Sequence, residues 1–264
     1  MKIFYGWRMV GASFGIQLML GTLLLQSFGL YIAILSQEMG WSKTTLSGAA
    51  ALQSMESAVI GPLLGWMLDR FGPQSIIRWG IVIFSLGLFL FSQMESVSTF
   101  YVSAVLMAIG ASLAGYFPLS VALVQWFEKN RARALSIMGL GFAMGGMMVP
   151  AMAWLIEHWG WRNTALLSGV LALVLGLPLA RVIRRRPEDH GEHVDGLDPA
   201  LNAAATGPGS AQPLVQVQFT VRQALRTRTF WLLATGHGAL VANVTNTVGI
   251  LPGYLGGAAG FRDV

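Results

Sequence analysis

The sequence predicts an all-α membrane protein, with six membrane-spanning helices followed by a linker and a seventh helix. Hydrophobic residues make up 54% of the 264 residues and charged residues only 11%, whereas charged residues are about 25% of a typical soluble domain. The 32 glycines fit membrane helices, which pack closely through small residues. The net charge of +5 lies in short segments between apolar runs. It therefore indicates membrane orientation and no nucleic-acid partner.

Charge-free intervals locate the spans, because a membrane helix needs about 20 predominantly apolar residues. The predicted spans are residues 9–37, 45–68, 78–95, 101–127, 134–156, 163–180 and 229–251. Glu56 alone interrupts the second span. The chain is thereby divided into a six-helix bundle (1–181), a cytoplasmic linker (182–228) and a seventh helix that begins an incomplete second half (229–264).

The loops predict the orientation of the spans. With a cytoplasmic N-terminus, the inside segments hold fourteen lysines and arginines and the outside segments hold three. Cytoplasmic loops of membrane proteins carry such an excess. We therefore expect a multi-pass protein of the plasma (inner) membrane, in contact with membrane lipids and with its N-terminus in the cytoplasm.

The predicted linker differs in composition from the spans. It opens on Arg184-Arg185-Arg186-Pro187, continues with five acidic residues up to Asp198, and then becomes rich in Ala, Gly, Pro and Ser as far as Pro213. This composition favours a flexible segment. Residues 219–229 fit either a short interfacial helix or the basic flank of the seventh span.

The stretch between Gly65 and Gly72 places an acid and a base, Asp69 and Arg70, back to back where the second span ends. An aspartate at the end of a membrane helix is costly unless a cation or a helix N-terminus neutralises it. The stretch predicts a tight cytoplasmic hinge between two helices. A charged turn that merely stops both helices is the simpler interpretation.

The spacing Gly-x-x-x-Asp-Arg-x-Gly of that hinge resembles the signature loop between the second and third helices of the major facilitator superfamily of transporters. The resemblance implies that the six helices form two inverted three-helix repeats. It also implies a gating loop that holds the outward-facing state by meeting helices of the second half. Pro73 and Gln74 depart from the pattern, because basic residues often follow the second glycine in the family.

A second set of motifs resembles the monocarboxylate and oxalate/formate antiporter-like branch of the superfamily. This resemblance covers residues 5 to about 260. The motifs that carry it are Tyr5-Gly6-Trp7, Gly40-Trp41-Ser42, Phe71-Gly72-Pro73, Trp126-Phe127 with Arg131 and Arg133, Gly160-Trp161-Arg162 and Phe230-Trp231. The same tryptophans also fit interfacial anchors, and Ser42 fits a helix cap.

The resemblance implies that the first and fourth helices line the substrate cavity. In the first helix, Gln17 and Tyr31 share a face at 100° per residue, and Gln26 points nearly opposite. Tyr116 of the fourth helix, ten residues before Trp126, matches a tyrosine of oxalate transporter-like sequences. We expect Tyr116 to contact an anion; a packed interfacial tyrosine is the alternative.

Glu56 lies about halfway along the second span. An acid inside a membrane is expensive unless it is paired, protonated or facing water, and it is a functional hypothesis by default. It is a candidate proton carrier. The alternative is a neutral, hydrogen-bonded carboxylic acid beside Gln53 or Ser57.

The fifth span carries Gly141, Gly145 and Pro150. Two glycines four residues apart allow another helix to approach closely, and proline kinks a helix. The set partially resembles the glycine-proline motif of superfamily antiporters, and close packing alone explains it about as well.

These features predict secondary active transport of a small organic anion, a mono- or dicarboxylate, by alternating access, within a longer transporter. No Walker loop and no Ser/His/Asp arrangement stands in the sequence, so we expect neither an enzyme nor a cofactor, and His237 alone supports no metal site. A second half or another copy would complete the transport path. The alternative is a truncated, non-transporting membrane protein or a half-transporter that acts only by association.

Overall fold

The computed structural model describes residues 4–196 and, beyond them, residues 223, 226–229, 231, 232, 235 and 236. The chain divides into two compact units, Met1–Ala205 and Thr206–Val264. The first unit contains the first six predicted spans. The seventh predicted span (229–251) and the later part of the predicted linker lie almost entirely outside the described residues.

The first predicted span is helical but not uniform. Helix α1 (Tyr5–Leu20) passes through a π-helical turn (Gly21–Leu25) into α2 (Phe28–Glu38). The Ser27 hydroxyl donates to the Thr22 carbonyl at 2.7 Å, and so satisfies a backbone group that water cannot reach in a membrane. Because a π turn rotates the helix after it, the expectation of one shared face at 100° per residue does not extend from α1 into α2.

The second and third predicted spans are the helices α3 (Lys43–Phe71) and α4 (Pro73–Ser92). The Ser42 hydroxyl caps α3 by accepting the Thr45 amide hydrogen at 3.1 Å. Gly72 alone separates the two helices, with φ 77° and ψ 158°. The connection is therefore as tight as the sequence predicts.

The fourth predicted span consists of two helices, α5 (Val97–Ala114) and α6 (Tyr116–Trp126). The break lies at Gly115, whose backbone is extended at φ −84° and ψ −150°. Pro118 explains the break, because proline has no amide hydrogen to donate to the carbonyl of residue 114 and its ring would collide with that carbonyl. The interruption places Tyr116 at the start of α6 rather than inside a continuous helix.

The fifth predicted span (134–156) comprises α7 (Arg131–Met147) and the start of α8 (Val149–Val182), with Pro150 in the first turn of α8, and the sixth span is the later part of α8. The backbone of α8 is not helical at Gly160, where φ is 77° and ψ is 155°. Beyond it, the Trp161 indole donates to Glu38 at 2.7 Å, and the Tyr5 hydroxyl donates to the Val182 carbonyl at 3.0 Å. The second part of α8 therefore runs antiparallel to the first span.

Length and composition allow four helical segments of the described residues to cross a membrane: Tyr5–Glu38, Pro73–Ser92, Val97–Trp126 and Arg131–Val182. The last has 52 residues, which as one straight helix would extend about 78 Å and far exceed a bilayer core of about 30 Å. The break at Gly160 divides it. The predicted all-α architecture is confirmed for the described part of the chain.

The helix contacts have the pattern expected of two inverted repeats. The first span packs on the fifth (α1 on α7), the second on the fourth (α3 on α5), and the third on the sixth (α4 on α8). Replacing spans one, two and three by spans four, five and six, and the reverse, turns the contact between spans one and five into the contact between spans four and two. The same replacement leaves the contact between spans three and six as it is. An inverted three-helix repeat has this property.

Glycines permit the closest of these contacts. A Cβ atom added to Gly141 of α7 would strike the carbonyl oxygen of Phe14 in α1, and one added to Gly145 would lie 2.9 Å from the Thr22 amide nitrogen. Gly110 of α5 lies against the backbone of Phe84 in α4 in the same manner. Backbone contacts of this kind leave no room for a side chain.

We expect the substitution Gly141→Ala to destabilise the protein by about 1–3 kcal/mol, because the added methyl group must push α7 away from the α1 backbone. Gly139→Ala is the matched control, since a Cβ atom at Gly139 meets nothing within 4 Å. Denaturant unfolding in detergent measures both variants. Equal stability of the two would contradict the packing described for Gly141.

Candidate functional site

A cleft of about 400 Å³ opens between α3 and the junction of α5 with α6. It is lined by Ile60, Gly61, Leu64, Ala111, Ser112, Tyr116 and Phe117. Tyr116 is 55% exposed, although it follows the buried Gly115 directly. The tyrosine hydroxyl and the Ser112 hydroxyl give this otherwise apolar cleft two hydrogen-bonding groups.

Glu56 reaches the same cleft through Ser112. The Ser112 hydroxyl donates to Oε2 of Glu56 at 3.3 Å, across 56 residues of sequence. Glu56 is half-buried on α3, one turn before Ile60 of the cleft wall. The structure therefore brings together two residues that the sequence suggests for separate reasons, Tyr116 as an anion contact and Glu56 as a proton carrier.

The other cavity candidates lie elsewhere. Gln17 and Tyr31 are 3% and 0% exposed in the interior of the described bundle. The Tyr31 ring meets Phe91 edge-on at 5.2 Å between centroids, beside the side chain of Ser168. Neither residue lines the cleft, and their assignment to a substrate cavity stays a prediction.

Gln26 differs from Gln17 in its exposure to the surface of the bundle. It is exposed, and its side-chain amide nitrogen is 3.5 Å from the position of a Cβ atom on Gly146. It thus covers the surface next to Gly145 of α7, where the first and fifth spans cross. This surface is separate from the cleft, and the role predicted for Gln26 is also untested.

The hinge predicted from Gly65 to Gly72 has a definite geometry. The Arg70 guanidinium lies 5.7 Å from the ring centre of Trp66 and 5.8 Å from that of Phe71, so it makes cation–π contacts with its own helix end. Asp69 is exposed. Gly72 adopts a φ of 77° and is buried, in a conformation that is open almost only to glycine.

A basic residue that contacts the hinge backbone comes from a part of the sequence that we expected to be flexible. Arg185 donates from Nη2 to the Asp69 carbonyl at 2.8 Å. Gln74, at the start of α4, donates to the Arg181 carbonyl at 3.1 Å. The run of three arginines is the only feature of the sequence that could have indicated this contact.

Two of the motifs that resemble the monocarboxylate branch, Tyr5-Gly6-Trp7 and Trp126-Phe127, meet in one aromatic cluster. The Trp7 ring lies 5.1 Å from that of Phe127, and the Tyr5 ring 5.6 Å from that of Trp126. Arg133 covers the other side of Trp7 at 5.3 Å. The joint spacing of these motifs therefore corresponds to a packed contact between the start of α1 and the loop before α7.

Within residues 4–196 and the few later described positions, no three His, Cys, Asp or Glu side chains stand close enough to hold a metal ion. The polar side chains that line the cleft are the hydroxyls of Ser112 and Tyr116, and the Glu56 carboxyl group is bonded to Ser112. Such groups can bind an oxygen-rich molecule or hold a proton.

Comparison with known proteins places this chain among transporters. A family model described as Major Facilitator Superfamily matches residues 4–262. The Fujikurins efflux protein of Gibberella fujikuroi is 32% identical over 134 residues, which are 48% of this chain and 27% of that protein. The Probable L-galactonate transporter of Escherichia coli is 26% identical over 226 residues, 83% of this chain and 48% of the relative.

Monocarboxylate transporter 13 of Bos taurus is 25% identical over 173 residues, which cover 65% of this chain and 40% of the relative. The chain spans about half the length, or less, of these curated relatives.

Two glycines of the hinge should respond differently to the same substitution. Gly72→Ala should destabilise the protein by about 1–3 kcal/mol, because alanine is strained at its backbone conformation. A Cβ atom at Gly65 meets nothing within 4 Å, so Gly65→Ala should be neutral or stabilising by up to about 1 kcal/mol. Thermal unfolding in detergent measures both. A hinge that tolerates alanine at position 72 would not have the conformation described.

Proposed function

Because this chain belongs to the Major Facilitator Superfamily, we propose that it is part of a secondary active transporter that moves a small organic anion by alternating access. The observation that carries the proposal is the cleft lined by Tyr116 and Ser112, together with the hydrogen bond from Ser112 to Glu56 behind it. Family membership and four long apolar segments make the chain a multi-pass membrane protein.

The chemistry of the cleft supports an oxygen-bearing anion as the substrate. Hydroxyl donors bind carboxylate oxygens with charge-assisted hydrogen bonds, which are about twice as strong as neutral ones. The volume of about 400 Å³ lies in the range of small-molecule sites. Two of the relatives are named for L-galactonate and for monocarboxylates, which favours a carboxylate here too.

Glu56 is our candidate for the proton that accompanies the anion. A carboxyl group inside a membrane favours its neutral form, and a nearby anion would strengthen that preference. Because Ser112 contacts Glu56 and lines the cleft, an anion at Tyr116 and a proton on Glu56 would stabilise each other. The competing interpretation is a neutral structural acid that holds α3 against α5.

The hinge end of the bundle would face the cytoplasm. It carries Arg70 and the arginines at the end of α8, while the opposite end of the described bundle carries Arg162 beside Trp161. The excess of basic residues at one end is the arrangement of cytoplasmic loops. On this orientation Asp69 stands where a gating loop would meet the partner half.

A second half would complete the path, and we favour it as the partner because the chain matches only 48% and 40% of the length of these two curated relatives. Two such halves rocking about a midplane site would give alternating access. A second copy of this chain is the other candidate. A non-transporting protein has no specific observation in its favour.

The substitution Tyr116→Phe should raise KM for a transported carboxylate about tenfold, because one hydrogen bond to a charged ligand is lost. KM is measured from the uptake of small mono- and dicarboxylates into proteoliposomes that contain the complete encoded protein. Tyr101→Phe is the control: the Tyr101 hydroxyl donates to the Thr45 carbonyl at 2.7 Å, outside the cleft. An equal rise in both variants would argue against a substrate contact.

The substitution Glu56→Gln should abolish accumulation driven by a proton gradient, because glutamine cannot exchange a proton. Exchange of labelled for unlabelled substrate at equal pH should persist. Glu95→Gln, at an exposed loop position, should leave both unchanged. Gradient-driven accumulation by the Glu56→Gln variant would show that this acid is structural.

A further inference from the structure

The first residues after α8 pack against the hinge end of the bundle, in a segment that we call the linker strap (residues 183–196). Ile183 and Pro187 are buried, and two short 3-10 turns, Glu188–His190 and Val194–Gly196, shape the rest. The sequence predicts a flexible linker here. The described part of it makes several contacts with residues that are distant in sequence.

Asp195 holds the far end of the strap. Its carboxylate accepts the backbone amide hydrogens of Glu128, Lys129 and Asn130 at 3.0, 2.7 and 3.3 Å. These residues immediately precede α7, whose N-terminus has no cap from Asn130 itself. Asp195 thereby satisfies three amides of the turn before α7, and a negative charge near a helix N-terminus complements the helix dipole.

The middle of the strap contacts the start of α1. Glu192 accepts the Tyr5 amide hydrogen at 3.1 Å, and the Arg184 guanidinium lies 4.6 Å from the centre of the Tyr5 ring. Glu192 thus supplies a second carboxylate to a second helix N-terminus. The same segment therefore ties together the beginnings of the first and fifth spans.

Arg185 supplies the opposite charge to a helix C-terminus. The Asp69 carbonyl that it contacts belongs to the last turn of α3, where carbonyls have no partner within the helix. The Cδ atom of Arg185 also lies 3.4 Å from the position of a Cβ atom on Gly72. A cation at a helix C-terminus is stabilised by the helix dipole.

We propose that Arg185 is a positioning residue for the hinge between α3 and α4, and that Asp195 and Glu192 hold the strap so that Arg185 reaches it. Gln74 completes the arrangement, since it links the start of α4 to the Arg181 carbonyl. Two hydrogen bonds then join the end of α8 to the hinge region: Arg185 donates to the backbone of α3, and Gln74 of α4 donates to the backbone of α8. Gln74 is neutral, and Arg185 supplies a positive charge beside the hinge.

The consequence for gating rests on the proposed transport function, whereas the positioning contact does not. If the loop that carries Asp69 meets a partner half in one state, its position depends on Arg185. Loss of Arg185 should then change the rate of the conformational step. The substrate cleft should stay intact, because its residues on α3 precede the end of the helix that Arg185 contacts. A change in kcat without a change in KM would follow.

Hydrogen–deuterium exchange of the intact protein in detergent tests the contact. Arg185→Ala should raise exchange of the amides between residues 68 and 77 about fivefold, the order expected for one hydrogen bond to an exposed charged group. Arg185→Lys keeps the charge and a donor and should stay within about twofold of the wild type. Asp195→Asn should also raise exchange at the hinge, because the strap is released.

Arg186→Ala is the matched control, since Arg186 is the exposed neighbour with the same charge. A rise at the hinge in the Arg185→Ala variant, with α1 and the second part of α8 unchanged and Arg186→Ala like the wild type, supports the proposal. An unchanged hinge in Arg185→Ala, an equal rise in Arg186→Ala, or a rise throughout the bundle overturns it. If no carboxylate is transported, the proposed function fails, but the exchange data still decide the role of Arg185.

Discussion

The need to satisfy every backbone polar group without water is the constraint on which the rest of this structure depends. In a hydrocarbon environment an unpaired amide or carbonyl costs several kcal/mol, so the chain is helical wherever it is described inside the bundle. Departures occur where another group compensates. Ser27 covers the π turn of the first span, and Arg185 covers the end of α3 at the hinge. Each such departure from regular helix changes the direction in which the following side chains point.

The candidate site follows from one such departure. Pro118 cannot continue the helix of the fourth span, and the resulting break at Gly115 starts α6 at Tyr116. Ser112, in the last turn of α5, lines the cleft together with Tyr116 and donates a hydrogen bond to Glu56 of α3. The three polar groups belong to three different helices. In the proposed transporter, Ser112 would link the anion in the cleft to the proton on Glu56.

The hinge end shows how charge organises the bundle where it leaves the membrane. The linker strap brings carboxylates to the N-termini of α1 and α7 and a guanidinium to the C-terminus of α3. Each charge has the sign that complements its helix dipole. The aromatic cluster of Trp7 and Phe127 lies at the same end. Short-range electrostatics and aromatic packing thus hold together helix ends that hydrophobic burial alone would not align.

Within residues 4–196, the sequence itself determined where the helices lie, apart from the breaks inside the predicted spans. Charges are excluded from hydrocarbon, so the intervals between them are where the helices lie, and the family resemblance of the Gly65–Gly72 stretch agrees with the family match. The hinge was equally predictable, because glycine before a proline at a helix start is a local feature. These inferences need only residues that are neighbours in the chain.

The tertiary structure alone decided which distant residues meet. Glu56 and Ser112 are 56 residues apart, and Arg185 and Asp69 are 116 apart. Neither contact leaves a periodic pattern, because each depends on how two helices are rotated and how far a break displaces them. The sequence therefore located the helices, whereas packing between them determined the site and the partner of the hinge.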